Sequence, residues 1–229
     1  KVLGSLLQRG YFFQFWFFGA LILIYLCLPI LKKFLKSKKR YLLILSVLVI
    51  IGLIFELTNF LLQMPVQVYV IQTFRLWTWF FYYILGGFLA QFNLDTLKKC
   101  YRSWMKVITV VLLFASPLFL FMLAKNIHHN LFAEYFYDSI FVKVISLGTF
   151  LTVLTFDLNT DKNRWIINLS NQTMGVFVTH TYIMKVWEKL VGFSFTGAHF
   201  LFVIFTLSIS FIVVGILLKI PYLNRIVKL

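Results

Sequence analysis

The sequence predicts an all-α fold, a polytopic transmembrane helical bundle with about seven spans in its 229 residues. Three observations lead there. Hydrophobic residues make up 61% of the chain and charged ones 13%, with a mean hydropathy of +0.90, too little polar surface for a soluble domain of this size. The apolar residues fall in runs of about twenty, the length of a helical span. Those runs do not alternate with a period of two, as barrel strands do.

The first run covers residues 11–31 and is expected to close at Pro29 and the basic stretch Lys32 to Arg40. The second covers 41–63 and stops before Pro65; the third covers 70–92 and the fourth 104–124. The fifth covers 139–156, the sixth 165–187, and the seventh 199–220, ended by Pro221. Trp16, Trp104, Trp165 and Trp187 stand near run ends, where amphipathic rings favour the interface. No fixed-period repeat or linker divides the chain, which reads as one membrane domain over residues 1–229.

Loop charge sets the expected orientation. Seven spans put 15 basic residues on one side: Lys32, Lys33, Lys36, Lys38, Lys39, Arg40, Lys98, Lys99, Arg102, Lys106, Lys162, Arg164, Lys219, Arg225 and Lys228. The other side holds 4: Lys1, Arg9, Lys125 and Lys189. That asymmetry assigns the first side and the C-terminus to the cytoplasm. Lys1 is then outside, so a cytoplasmic start implies one or three spans upstream of it. The net charge of +15 is dispersed among these loops and implies no nucleic acid. Cys27 in a span and Cys100 in a basic loop read as reduced thiols, and no residue spacing suggests a metal. The stretch Lys125 to Asp138, with His128, His129 and Glu134, reads as a solvated outer loop.

Three segments carry a resemblance. Phe15-Trp16-Phe17-Phe18, followed by Tyr25 and Pro29, is similar to an "HLWFL…Y…P" span. Phe81-Tyr82-Tyr83-Ile84-Leu85-Gly86-Gly87 is similar to "FYFLLGY". Ser170 through Gly175-Val176-Phe177-Val178-Thr179-His180 is similar to "S-x-G-I-Y-L-x-H". In order and spacing, the chain resembles acyltransferase family 3, integral-membrane O-acyltransferases of bacterial surface glycans. The resemblance implies about ten spans, acetyl-CoA as acyl donor, no metal, and a glycan or lipid-linked sugar as acceptor. It also implies a multi-pass protein of the bacterial inner membrane. There are departures: Phe177 replaces a Tyr, Gln14 stands where the family often has His, and the family's Arg…His signature has no match. The principal catalytic His is therefore expected upstream of Lys1, and this segment alone is expected to be inactive.

His180 is the candidate catalytic residue. It lies about fifteen residues past Trp165, near the bilayer midplane, with Thr173, Phe177 and Met184 on its face. A neutral imidazole suits a general base for a sugar hydroxyl, and it equally suits a structural contact between helices. Glu56 and Arg75, at similar depth on consecutive antiparallel spans, are expected to pair, since either charge alone is costly there. Arg75 with Trp77 and Trp79 forms the alternative, a platform for a sugar or an anionic acceptor. Lys143 and Lys185 are expected to snorkel outward. The run Lys32 to Arg40 reads as topology control and attraction of anionic lipid, or more sharply as attraction of coenzyme A phosphates. A transporter is the rival reading, since Glu56, Arg75 and His180 also suit a proton or substrate path.

Overall fold

The computed structural model describes residues 2–9, 12–130, 136–156, 164–191 and 198–221. It divides into two compact units, Lys1–Asp157 and Leu158–Leu229. Lys1, Lys162, Arg225 and Lys228 of the charge asymmetry, and Glu134 of the expected outer loop, lie outside the described residues. The described residues are helical with no strand.

In unit 1, α1 (Val2–Leu6) precedes a 3-10 turn over Phe13–Phe15 and then α2 (Trp16–Phe34). The expected stop at Pro29 does not occur, and the helix runs five residues further. A membrane helix tolerates the lost N–H of a proline where water cannot compete. Lys32 and Lys33 sit in its last turn, where cations favour the dipole. α3 (Lys38–Leu62) follows and ends at Gln63, whose φ of 53° is left-handed. Asn59 C=O then accepts from Met64 N–H at 3.2 Å.

The third run departs from expectation. Residues 70–75 are not α-helical; 3-10 turns over Val66–Tyr69 and Gln72–Phe74 occupy the approach, and α4 begins only at Leu76, ending at Leu89. Polar side chains here bond to backbone and compete with the helical ladder. α4 has 14 residues, about 21 Å, short of a bilayer core. A short α5 (Leu94–Cys100) is capped by Asn93, then α6 (Ser103–Asn126) carries Pro117 inside it. α7 (Ile140–Leu154) starts from the Ser139 cap, whose Oγ accepts from Phe141 N–H. Unit 2 contains α8 (Arg164–Val191) and α9 (Ala198–Leu217), packed on each other.

Among the described residues, three helices are long and apolar enough to cross a membrane: α2 with its leading turn, α3 and α6. α4, α7 and the Leu201–Leu217 part of α9 are shorter apolar helices. α8 is long but is not among the helices apolar enough to cross, and its charged residues Arg164, Lys185, Glu188 and Lys189 stand at its two ends. Large apolar side chains such as Phe114 (81% exposed) and Leu61 face outward, as a lipid-facing surface requires.

Two of the contacts within unit 1 join neighbouring helices. Leu45 of α3 buries against Phe81 and Ile84 of α4. Tyr101 Oη joins α6 to α7, bonding Thr109 Oγ1 at 2.5 Å and Thr152 Oγ1 at 3.1 Å and donating to Gly148 C=O at 3.1 Å in the alternative orientation. Gly148 permits that approach, since a Cβ there would stand 2.6 Å from Thr109 Oγ1. Cys27 and Cys100 are both free.

Candidate functional site

The ends of α3 and α6 and the starts of α4 and α7 converge at the end of unit 1 opposite the basic run. A polar cluster is built there. Gln67, 1% exposed, donates from Nε2 to Asp138 Oδ2 at 2.8 Å and accepts from Asn59 Nδ2 at 2.9 Å. Asn59 Oδ1 accepts from Val66 N–H, which pins the turn after α3. Trp77 Nε1 also donates to Asp138 Oδ2, at 3.2 Å, while its ring stacks on Phe55 at 4.6 Å. Asp138 was expected in a solvated loop; it is buried because these donors replace its water.

Glu56 accepts from Ser139 Oγ at 2.6 Å and from Ile140 N–H at 3.3 Å. The expected pair with Arg75 is thus replaced: the carboxylate caps the N-terminus of α7, where orphan N–H groups and the helix dipole favour an anion. Arg75, 4% exposed, donates from Nε to Val70 C=O and from Nη2 to Gln67 C=O, both at 2.9 Å. Trp79 Nε1 donates to Gln72 C=O at 2.7 Å, and its ring stacks on Trp16 at 4.8 Å, with Tyr137 beside both. Arg75 and Trp79 are brought to the same turn, each bound to backbone.

Lys143 does not snorkel. It is 2% exposed, its ammonium lies 4.9 Å from the Phe81 ring centre, and the carboxylates of Asp138 and Glu56 act on it. Gly52 leaves room for it: a Cβ there would collide with Lys143 Nζ and stand 3.0 Å from Asp138 C=O. His128 is buried too, against Phe136 at 5.7 Å, and Nδ1 has no hydrogen-bond partner among the described residues. Burial pushes its pKa below the ordinary histidine value, outweighing Asn59 C=O and Glu56, which raise it; His129 lowers it further. His129 is exposed, so the expected solvated loop holds for it and not for His128. The cluster therefore has four titratable members, Glu56, Asp138, Lys143 and His128, of which sequence reasoning singled out one. The pair Asp138-Ser139 before an apolar run is a helix-start signal that marks where this polarity belongs.

His180 lies in unit 2, half-buried on α8. Its Nδ1 donates to Val176 C=O at 3.0 Å, so in the neutral ring Nε2 accepts from Thr181 Oγ1 at 3.2 Å. The Phe177 ring packs 5.9 Å away. These bonds fix the tautomer and present Nε2 as a base-type nitrogen.

A family model described as "Acyltransferase domain" matches residues 2–218. No curated protein and no solved structure matches the chain.

Proposed function

The chain belongs to acyltransferase family 3 and is a membrane acyltransferase, and from that premise we propose O-acyl transfer as its reaction. The acyl group is acetyl from acetyl-CoA, and the acceptor is a hydroxyl of a cell-surface glycan or of its lipid-linked precursor. The observation that carries this reading is the family match over nearly the whole chain. That membership does not favour the transport alternative. The setting is the bacterial inner membrane with a cytoplasmic C-terminus, which the charge asymmetry of the loops supports.

In this reaction the hydroxyl oxygen bonds to the thioester carbonyl carbon, the carbon–sulfur bond breaks, and the hydroxyl proton passes through a base to the leaving thiolate. Within this segment His180 is the candidate for such a base: Nδ1–H is held by Val176 C=O, and Nε2 would exchange Thr181 Oγ1 for the substrate proton. Glu56, Arg75 and Trp79 are the candidates for acceptor binding within unit 1, where they hold the start of α7 and the turn before α4.

The test uses the full-length protein in proteoliposomes with acetyl-CoA and a lipid-linked or polymeric glycan, reading release of coenzyme A. His180→Ala is expected to slow release by about 10²–10⁴-fold. An unchanged rate at normal expression removes the base role, and no release with any hydroxyl acceptor removes the reaction.

A further inference from the structure

At the basic end of unit 1, α2, α3 and α4 leave an open groove of about 640 Å³ between them, a volume suited to a small amphiphile. Leu28 and Leu31 of α2, Tyr41 of α3 and Tyr83 of α4 form its walls, and Lys32 stands on it. Its floor is bare at Gly86, where a Cβ would meet nothing within 4 Å.

The charge from α2 into the start of α3 has one sign. Lys33, Lys36, Lys38, Lys39 and Arg40 follow Lys32, and no acidic residue precedes Glu56. Lys38 Nζ is held 4.2 Å over the Phe92 ring, just beyond α4. The same two helices carry Leu26, Ile30, Leu42 and Leu43 exposed, a surface that belongs in hydrocarbon. A molecule entering between such helices comes from the bilayer. An apolar groove with cations at one end matches a hydrocarbon chain attached to an anionic head.

We propose that this groove binds an anionic glycerophospholipid, with an acyl chain against Leu28, Leu31 and the Gly86 floor and its phosphate on Lys32. The site is independent of the acyl-transfer reading, since it needs neither donor nor acceptor.

The experiment is native mass spectrometry of the full-length protein with phosphatidylglycerol or phosphatidylcholine of matched chains. One phosphatidylglycerol is expected to stay bound in preference to phosphatidylcholine. Lys32→Gln is expected to weaken it about fivefold and Lys32→Glu about thirtyfold, from the usual worth of one lysine beside anionic lipid. Gly86→Leu fills the groove and is expected to abolish retention without lowering the melting temperature in detergent. If Gly86→Leu fails to fold, the Lys32 pair decides. Equal retention of phosphatidylcholine overturns the proposal, as does phosphatidylglycerol retention that ignores Lys32→Glu. Displacement of the bound lipid by coenzyme A or inorganic phosphate also overturns it, assigning the cations to a soluble phosphate.

Discussion

Replacing Asp138 by alanine removes the oxygen shared by Gln67 Nε2, which is buried, and Trp77 Nε1, which is partly buried. Each lost acceptor costs about 1–3 kcal/mol. Lys143 loses in addition the foremost of the two carboxylates that act on it, so the expected total is about 3–9 kcal/mol. Against a domain stability of about 5–15 kcal/mol, that is a large fraction. Lys143→Met removes the ammonium, keeps an unbranched side chain over Phe81, and leaves Asp138 its two donors; it is expected to cost less than about 1.5 kcal/mol. If Asp138 stabilises the ammonium, the double variant costs less than the sum of the singles by about 1–3 kcal/mol. That is the Coulomb energy of unlike charges several ångströms apart at an effective dielectric of about 20. The assay is reversible unfolding of the full-length protein in mixed micelles, followed by tryptophan fluorescence. Additivity within about 0.5 kcal/mol refutes the coupling of Lys143 to Asp138. A cost below about 1 kcal/mol for Asp138→Ala means that water satisfies both donors and the cluster is not closed.

His128 has a folded-state pKa below its unfolded value, so the unfolded chain binds the proton more readily. Stability is then fully present above about pH 6.5 and is lost as pH falls from there through the folded pKa, a dependence that His128→Gln should flatten in melting curves across pH 5–8. Gly148→Ala drives a methyl onto Thr109 and the Tyr101 junction, with an expected loss of about 1–3 kcal/mol; an unchanged melting temperature would mean that α6 and α7 separate freely.

Much of the fold was legible because hydropathy and helix length are local properties. The expected second span, residues 41–63, differs from α3 by three residues at its start, and the fourth matches α6 as closely. Hydropathy failed where tertiary bonding competes with the helix. Val70 to Arg75 is apolar enough to extend α4, yet Gln72 N–H bonds Gln8 Oε1 and Thr73 Oγ1 bonds Leu6 C=O, contacts 64 and 67 residues away. No window in the sequence contains both partners. Pro29 misled for the opposite reason, since a stop rule drawn from water-exposed helices weakens in an apolar setting.

The charges show the same division. Arg75 and Glu56 were read as partners because each is costly alone at depth, and that cost is real. Backbone carbonyls are among the partners that meet it for Arg75, and the Ser139 hydroxyl with a backbone N–H meets it for Glu56. In the irregular stretch before α4, Gln67 C=O accepts the 3-10 bond from Val70 N–H, and Arg75 donates to it and to Val70 C=O. The start of α7 leaves N–H groups without partners, and Glu56 fills one and holds the Ser139 cap. Breaking the helix and burying the arginine are therefore one event: a continuous helix through residue 70 would leave Arg75 without those carbonyls. Lys143, Asp138 and His128 are different. Their charge or open nitrogen is not consumed by any helix end, so their substitution perturbs the buried cluster itself rather than a helix terminus.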